Sequence, residues 1–175
     1  MVDFNRRKSE NITFHENEVK LAKTAMDKLR TTIEFFYYLM EYRDKKSFTM
    51  ILLSAENLLL KVPLQKWKRQ SDVLIEIDPV LNVFVIISQS TDSEGGKRFA
   101  EILLSNIDMN GGEGTYCVET DLTSTEHTIQ EVIFKMVEKY ITIKQEEKPN
   151  QVHIAYMNEE DIPKEEEVSY FSDIG

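Results

Sequence analysis

The stretch Arg69-Gln-Ser-Asp72-Val-Leu-Ile-Glu-Ile77-Asp-Pro-Val-Leu-Asn82-Val-Phe-Val-Ile-Ile-Ser88 decides the fold. Two apolar, β-branched arms, Asp72 to Ile77 and Val83 to Ser88, flank the turn-forming Asp78-Pro-Val-Leu-Asn82, and this pattern predicts a β-hairpin. The second arm has no polar alternation. It should therefore be buried on both faces, as a central strand of a sheet covered by helices. Beyond it, Thr91 and Glu94 form a Thr-x-x-Glu capping box, and Phe99, Ile102, Leu103 and Ile107 recur at helical spacing. A helix should leave the hairpin directly.

Upstream, Glu16 to Tyr42 is helical in pattern, with Val19, Ala22, Met26, Leu29, Ile33, Phe36 and Met40 alternating steps of three and four. A 3.5-residue period fits either the seam of a dimeric coiled coil or a face packed on the chain's own sheet, which the Phe35-Phe-Tyr-Tyr38 cluster widens. Asp44-Lys-Lys46 makes a polar loop, Phe48 to Leu53 a buried strand, and Asn57 to Lys68 a short segment that Pro63 should interrupt. Downstream, the glycines of Asp108-Met-Asn-Gly-Gly-Glu-Gly114 follow a helix and open a strand, Thr115 to Thr120. They read as a connector, because a phosphate loop has the opposite order. Thr123 to Glu126 repeats the capping-box signature ahead of an apolar stripe, Ile129, Val132, Ile133, Met136, Val137 and Tyr140. Lys148 to Gln151 is a turn before a last strand, Val152 to Met157. The order helix, strand, helix, hairpin, helix, strand, helix, strand specifies an α+β sandwich with a mainly antiparallel sheet. We expect an N-terminal segment over 1–15, one domain over 16–157 and an acidic, solvated tail over 158–175 whose closing Val168-Ser-Tyr-Phe-Ser-Asp-Ile-Gly175 places aromatic residues after the acids.

With 175 residues, 41% of them hydrophobic, the chain can bury one core. A net charge of -10 argues against a nucleic-acid surface, which needs clustered Lys and Arg. No apolar run has the length of a membrane span, and the charged start is followed by no signal-peptide core, so a cytoplasmic protein is expected. The lone Cys117 should be a buried thiol rather than a nucleophile. His15, His127 and His153 have no ligand-like spacing, so no metal site is expected.

The hairpin and its flanks resemble the diguanylate cyclase (GGDEF) family in layout. That family carries Arg-x-x-Asp, a short strand, the GGDEF turn, an apolar strand and a helix. The corresponding pieces here are Arg69-Gln-Ser-Asp72, Val73 to Ile77, Asp78 to Asn82, and Val83 to Asp92 running into the helix. The resemblance implies a nucleotidyl-cyclase-like palm fold. It also shows what is missing. The metal-binding aspartate after the first strand falls at or beside Ser54, the acidic pair of the turn aligns with Val80 and Leu81, and the two glycines become Asp78 and Pro79. The segment that grips the guanine of GTP shrinks to Asn57 to Lys68. No catalytic residue, metal or cofactor is therefore expected, and the domain is expected to be inactive. Two readings remain. One is a cyclic di-GMP receptor, in which Arg69 reads the O6 and N7 edge of a guanine, Asp72 accepts from its N–H groups, and Lys66 and Lys68 add charge for phosphates, with Trp67 as a stacking face. The other is a protein-interaction or dimerisation module, through a protein partner or through self-association of the 16–42 helix. In that reading Arg69 and Asp72, an i,i+3 pair, merely hold a helix end.

Overall fold

The computed structural model describes residues 2–43, 47–89 and 93–163. Its elements are α1 (Val2–Tyr42), β1 (Phe48–Glu56), α2 (Lys61–Trp67), β2 (Val73–Asp78), β3 (Val83–Gln89), α3 (Ser93–Met109), β4 (Glu113–Leu122), α4 (Ile129–Gln145) and β5 (Gln151–Ile154), with a 3₁₀ turn at Glu159–Asp161. The described strands form one sheet in the order β2-β3-β1-β4-β5, antiparallel except for the β4–β5 pair. This is the expected α+β architecture.

Because side chains alternate across a strand, the sheet divides the apolar residues into two cores. Phe48, Met50 and Leu52 of β1, Val83, Val85 and Ile87 of β3 and Val118 of β4 face α1 and α4. Ile51, Leu53, Phe84, Ile86 and Cys117 face α2 and α3. On α1 the inward stripe is Ala25, Leu29, Ile33 and Phe36, and the Phe36 ring stacks on Phe48 at 5.0 Å. Each fully buried Leu, Ile or Phe contributes about 1.5–3 kcal/mol, so both layers are strongly held.

Several details differ from the sequence reading. The middle strand is β1, and β3 lies one place in from the edge, although it is buried as expected. Ile102 and Val19 sit in the helical patterns but face solvent. On α3 the buried apolar side chains are Ala100, Leu103 and Ile107. Helix α1 begins at Val2, so residues before 16 continue it from residue 2 on. Pro63 does not interrupt α2. It lies in the first turn, where its missing N–H would have had no helical partner. Helix α4 starts at the next Thr-x-x-Glu along: Thr128 is the N-cap, accepting from the Glu131 N–H at 3.1 Å, and Thr123 to Glu126 stays in the loop. The last strand is Gln151–Ile154, shorter than expected. The Asn158 side chain bonds His127 at 2.9 Å and Glu126 at 3.2 Å, tying the start of the acidic segment to the domain. Thr91, the loop 44–46 and the tail from 164 lie outside the described residues.

Candidate functional site

The hairpin turn meets the loop after β1 at one end of the sheet. Between them lies a cleft of about 510 Å³, lined by Ser54, Glu56, Leu59, Val80, Leu81 and Lys144 among others. Its floor is internally bonded: the buried Tyr140 hydroxyl donates to Ser54 Oγ at 2.6 Å. Burial pushes the Tyr140 phenol up to about 12, so it stays protonated and remains a donor. The Lys144 ammonium lies 5.5 Å from the Tyr140 ring centre and 6.0 Å from that of Tyr116. At the mouth, Asn57 donates to Glu113 at 2.9 Å.

The turn itself is closed on its own side chains. Asp78 Oδ1 accepts from the Val80 N–H at 2.9 Å and the Leu81 N–H at 3.1 Å, an Asx-type arrangement that occupies both donors. Val80 is 89% exposed and Leu81 55%. Asn82, at φ 59, then reaches back to the β1–α2 loop. Its amide nitrogen donates to the carbonyls of Ala55 at 2.9 Å and Leu58 at 2.7 Å, and its Oδ1 accepts from the Leu60 N–H at 3.0 Å. Leu60 is the N-cap residue of α2 and makes no side-chain cap of its own, so Asn82 caps that helix from across the chain. The turn position of Asn82 was legible from the sequence. Its three partners were not, because they depend on the hairpin's placement.

Arg69 and Asp72 are brought together between α2 and β2. The guanidinium lies 3.2 Å from Asp72 Oδ1, and the Arg69 backbone N–H donates to Oδ2 at 2.9 Å. The carboxylate is fully buried, whereas the Arg69 side chain is 53% exposed. Lys66 is exposed on α2, and Lys68 Nζ donates to the Arg69 carbonyl at 3.3 Å. Trp67 packs partly into the α2/α3 core. The four candidate ligand residues thus share one region, but Asp72 points its oxygens at Arg69 rather than at solvent.

Other polar groups lie on the α3 face of the sheet. Glu119 is fully buried and neither of its oxygens has a hydrogen-bond partner, which also holds for Ser88 Oγ. Burial pushes the Glu119 carboxyl up to about 9, with the neighbouring Asp121 carboxylate adding to the rise and Lys97 opposing it. Only its acidic letter inside an apolar strand hinted at this. Cys117 is buried as expected, and burial followed by the Glu119 charge pushes its thiol up to about 12. Among the described residues, no group of three or more His, Cys, Asp and Glu is placed to hold a metal ion. No helix among them is long and apolar enough to cross a membrane.

No family model matches the sequence, and no curated protein matches it. Solved structures do. A microbial GGDEF domain studied with cyclic di-GMP superposes with a TM-score of 0.56 at 8% identity, over 71% of this chain and 89% of that one. The diguanylate cyclase SiaD of Pseudomonas aeruginosa, in complex with its activator SiaC, gives 0.56 at 12% identity, over 88% of this chain and 72% of that one. The fold is that of a GGDEF domain. The active GGEEF domain of a Vibrio cholerae diguanylate cyclase agrees, with a TM-score of 0.52 at 14% identity over 69% of this chain and 88% of that one. In this GGDEF fold the cleft beside the hairpin turn is lined by Ser54, Glu56, Val80, Leu81 and Lys144 among others.

Proposed function

We propose that this GGDEF-fold domain has no cyclase chemistry and works in the cytoplasm as a signalling module that binds a protein partner. The hairpin turn carries the reading. Its two N–H donors are taken by Asp78, and where the resemblance to active cyclases calls for a metal-binding acidic pair it presents Val80 and Leu81 to solvent. With Leu59, 79% exposed on the same cleft, they form an apolar patch suited to a protein side chain. Helix α1 adds a second such surface, where Phe35, Tyr38 and Tyr42 are exposed at i, i+3 and i+7. The SiaD neighbour, which is held by an activator protein, supports protein binding as a use of this fold.

One observation favours a second reading, cyclic di-GMP reception by Arg69 and Asp72 with Lys66 and Lys68. The Arg69 guanidinium is half-exposed at the mouth of the hairpin, and one neighbouring GGDEF structure concerns cyclic di-GMP. Against it, the Asp72 carboxylate is buried and already accepts from Arg69, so a guanine must first displace that pair. Calorimetric titration of the protein with cyclic di-GMP and with GTP separates the two. The interaction-module reading predicts no heat of binding from either at micromolar concentrations. Binding of cyclic di-GMP that weakens at least tenfold in both Arg69→Ala and Asp72→Ala would install the receptor instead.

A further inference from the structure

We infer that the groove between α2 and the outer edge of β2 receives the acidic and aromatic segment Glu165-Glu-Glu-Val-Ser-Tyr-Phe171 of a second copy of this chain. The inference concerns a surface separate from the hairpin cleft and does not depend on what the cleft binds. The groove measures about 520 Å³; Leu74 and Phe84 form its floor, Val62 its wall, and Lys61 and Lys66 its rim, with Glu76 alongside. Val62 is 77% exposed. Neither lysine has an ion-pair partner among the described residues. In a chain of net charge -10, the run Lys61 to Arg69 holds four cations and no acid. Beside it, β2 is an edge strand whose outer side pairs with no strand among the described residues. An extended segment can add to such an edge through its backbone while every second side chain enters the groove.

The segment after Pro163 has the complementary chemistry. In extended form Glu166, Val168 and Tyr170 share one side, which offers an acid to the lysines and apolar groups to Leu74 and Phe84. The donor must be another copy. The described chain ends at Pro163, shortly after Asn158, which is bonded to His127 and Glu126 beside the start of α4, on the α4 face. The groove lies on the opposite face at the opposite edge, and four strand spacings alone amount to about 19 Å. The three residues from Lys164 to Glu166 span only about 10 Å fully extended. Reciprocal exchange between two copies satisfies both grooves with two-fold symmetry.

Sedimentation of the full chain tests this. The wild type should dimerise in a concentration-dependent and salt-sensitive way. A tail variant (Glu165→Lys, Glu166→Lys, Glu167→Lys) and a groove variant (Lys61→Glu, Lys66→Glu) should each lose dimer affinity by at least tenfold. Mixing the two variants should restore the dimer, because each then meets opposite charge on its partner, an outcome that misfolding cannot mimic. A wild type that remains monomeric at hundreds of micromolar would overturn the inference, as would a dimer indifferent to both reversals or a mixture that fails to reassemble.

Discussion

A carboxyl buried beside a second carboxylate keeps its proton at neutral pH, and Glu119, next to Asp121, is such a group. Facing it are Asp121 on its own strand and Lys97 on α3, with Thr49 donating to Asp121 at 2.9 Å. Its folded-state pKa lies near 9 against an ordinary 4.5, so between those values the folded chain binds more protons than the unfolded chain. Stability from this group is therefore complete below about pH 4.5 and is lost as pH rises toward 9. Glu119→Gln removes the titration. Denaturation from pH 5 to 9 should show the variant gaining on the wild type by roughly 1 kcal/mol per pH unit, and parallel curves would contradict this. Gly96 is constrained by the same contact. A Cβ there would lie 2.7 Å from Thr49 Cγ2 and 2.8 Å from Glu119 Oε1, so the first turn of α3 approaches the sheet too closely for any side chain. Helix propensity favours Ala over Gly by about 1 kcal/mol, but the overlap with a packed β-branched residue outweighs it. Gly96→Ala should lower stability by roughly 1–3 kcal/mol in urea unfolding.

At the scale of elements, β-branching, turn residues and apolar runs made the hairpin, β1, α3 and α4 legible, and their chain order matched the structure. What could not be read was set by tertiary context. Two Thr-x-x-Glu sequences stand in tandem before α4, and the apolar stripe that begins at Ile129 selects the second. Asn82 shows the same dependence, since its amide joins the hairpin to the β1–α2 loop only because the two elements dock. Asn82→Ala strands two carbonyls and one N–H, and also places alanine at positive φ. A loss of about 2–4 kcal/mol is expected from denaturant unfolding. Asn82→Gly keeps the backbone conformation and loses only the clasp, so it should be milder than Asn82→Ala. Equal stability of Asn82→Ala and the wild type would show that the clasp contributes nothing to stability.

For the whole molecule, the palm-like fold was legible because the hairpin fixes the sheet and the alternating helices cover both faces. The candidate site was legible in part. An i,i+3 spacing placed Arg69 beside Asp72, but the burial of that carboxylate follows from how α2 meets β2, and no local pattern encodes it. The 164–175 segment carries four acids in a dozen residues, a composition that cannot supply much core. At a concentration low enough for the chain to be monomeric, its removal should leave the melting temperature within about 2 °C of the full chain, since 1 kcal/mol shifts a domain of this size by about 2–4 °C. The proposed absence of cyclase chemistry in this GGDEF fold rests on Ser54, Val80 and Leu81 standing where the resemblance calls for acidic ligands, which leaves Glu56 as the one carboxylate among the described residues lining the cleft. Incubating the full chain with GTP and Mg²⁺ and measuring cyclic di-GMP tests it most directly. No product above the protein-free control is expected, whereas turnover that a chelator abolishes would contradict it.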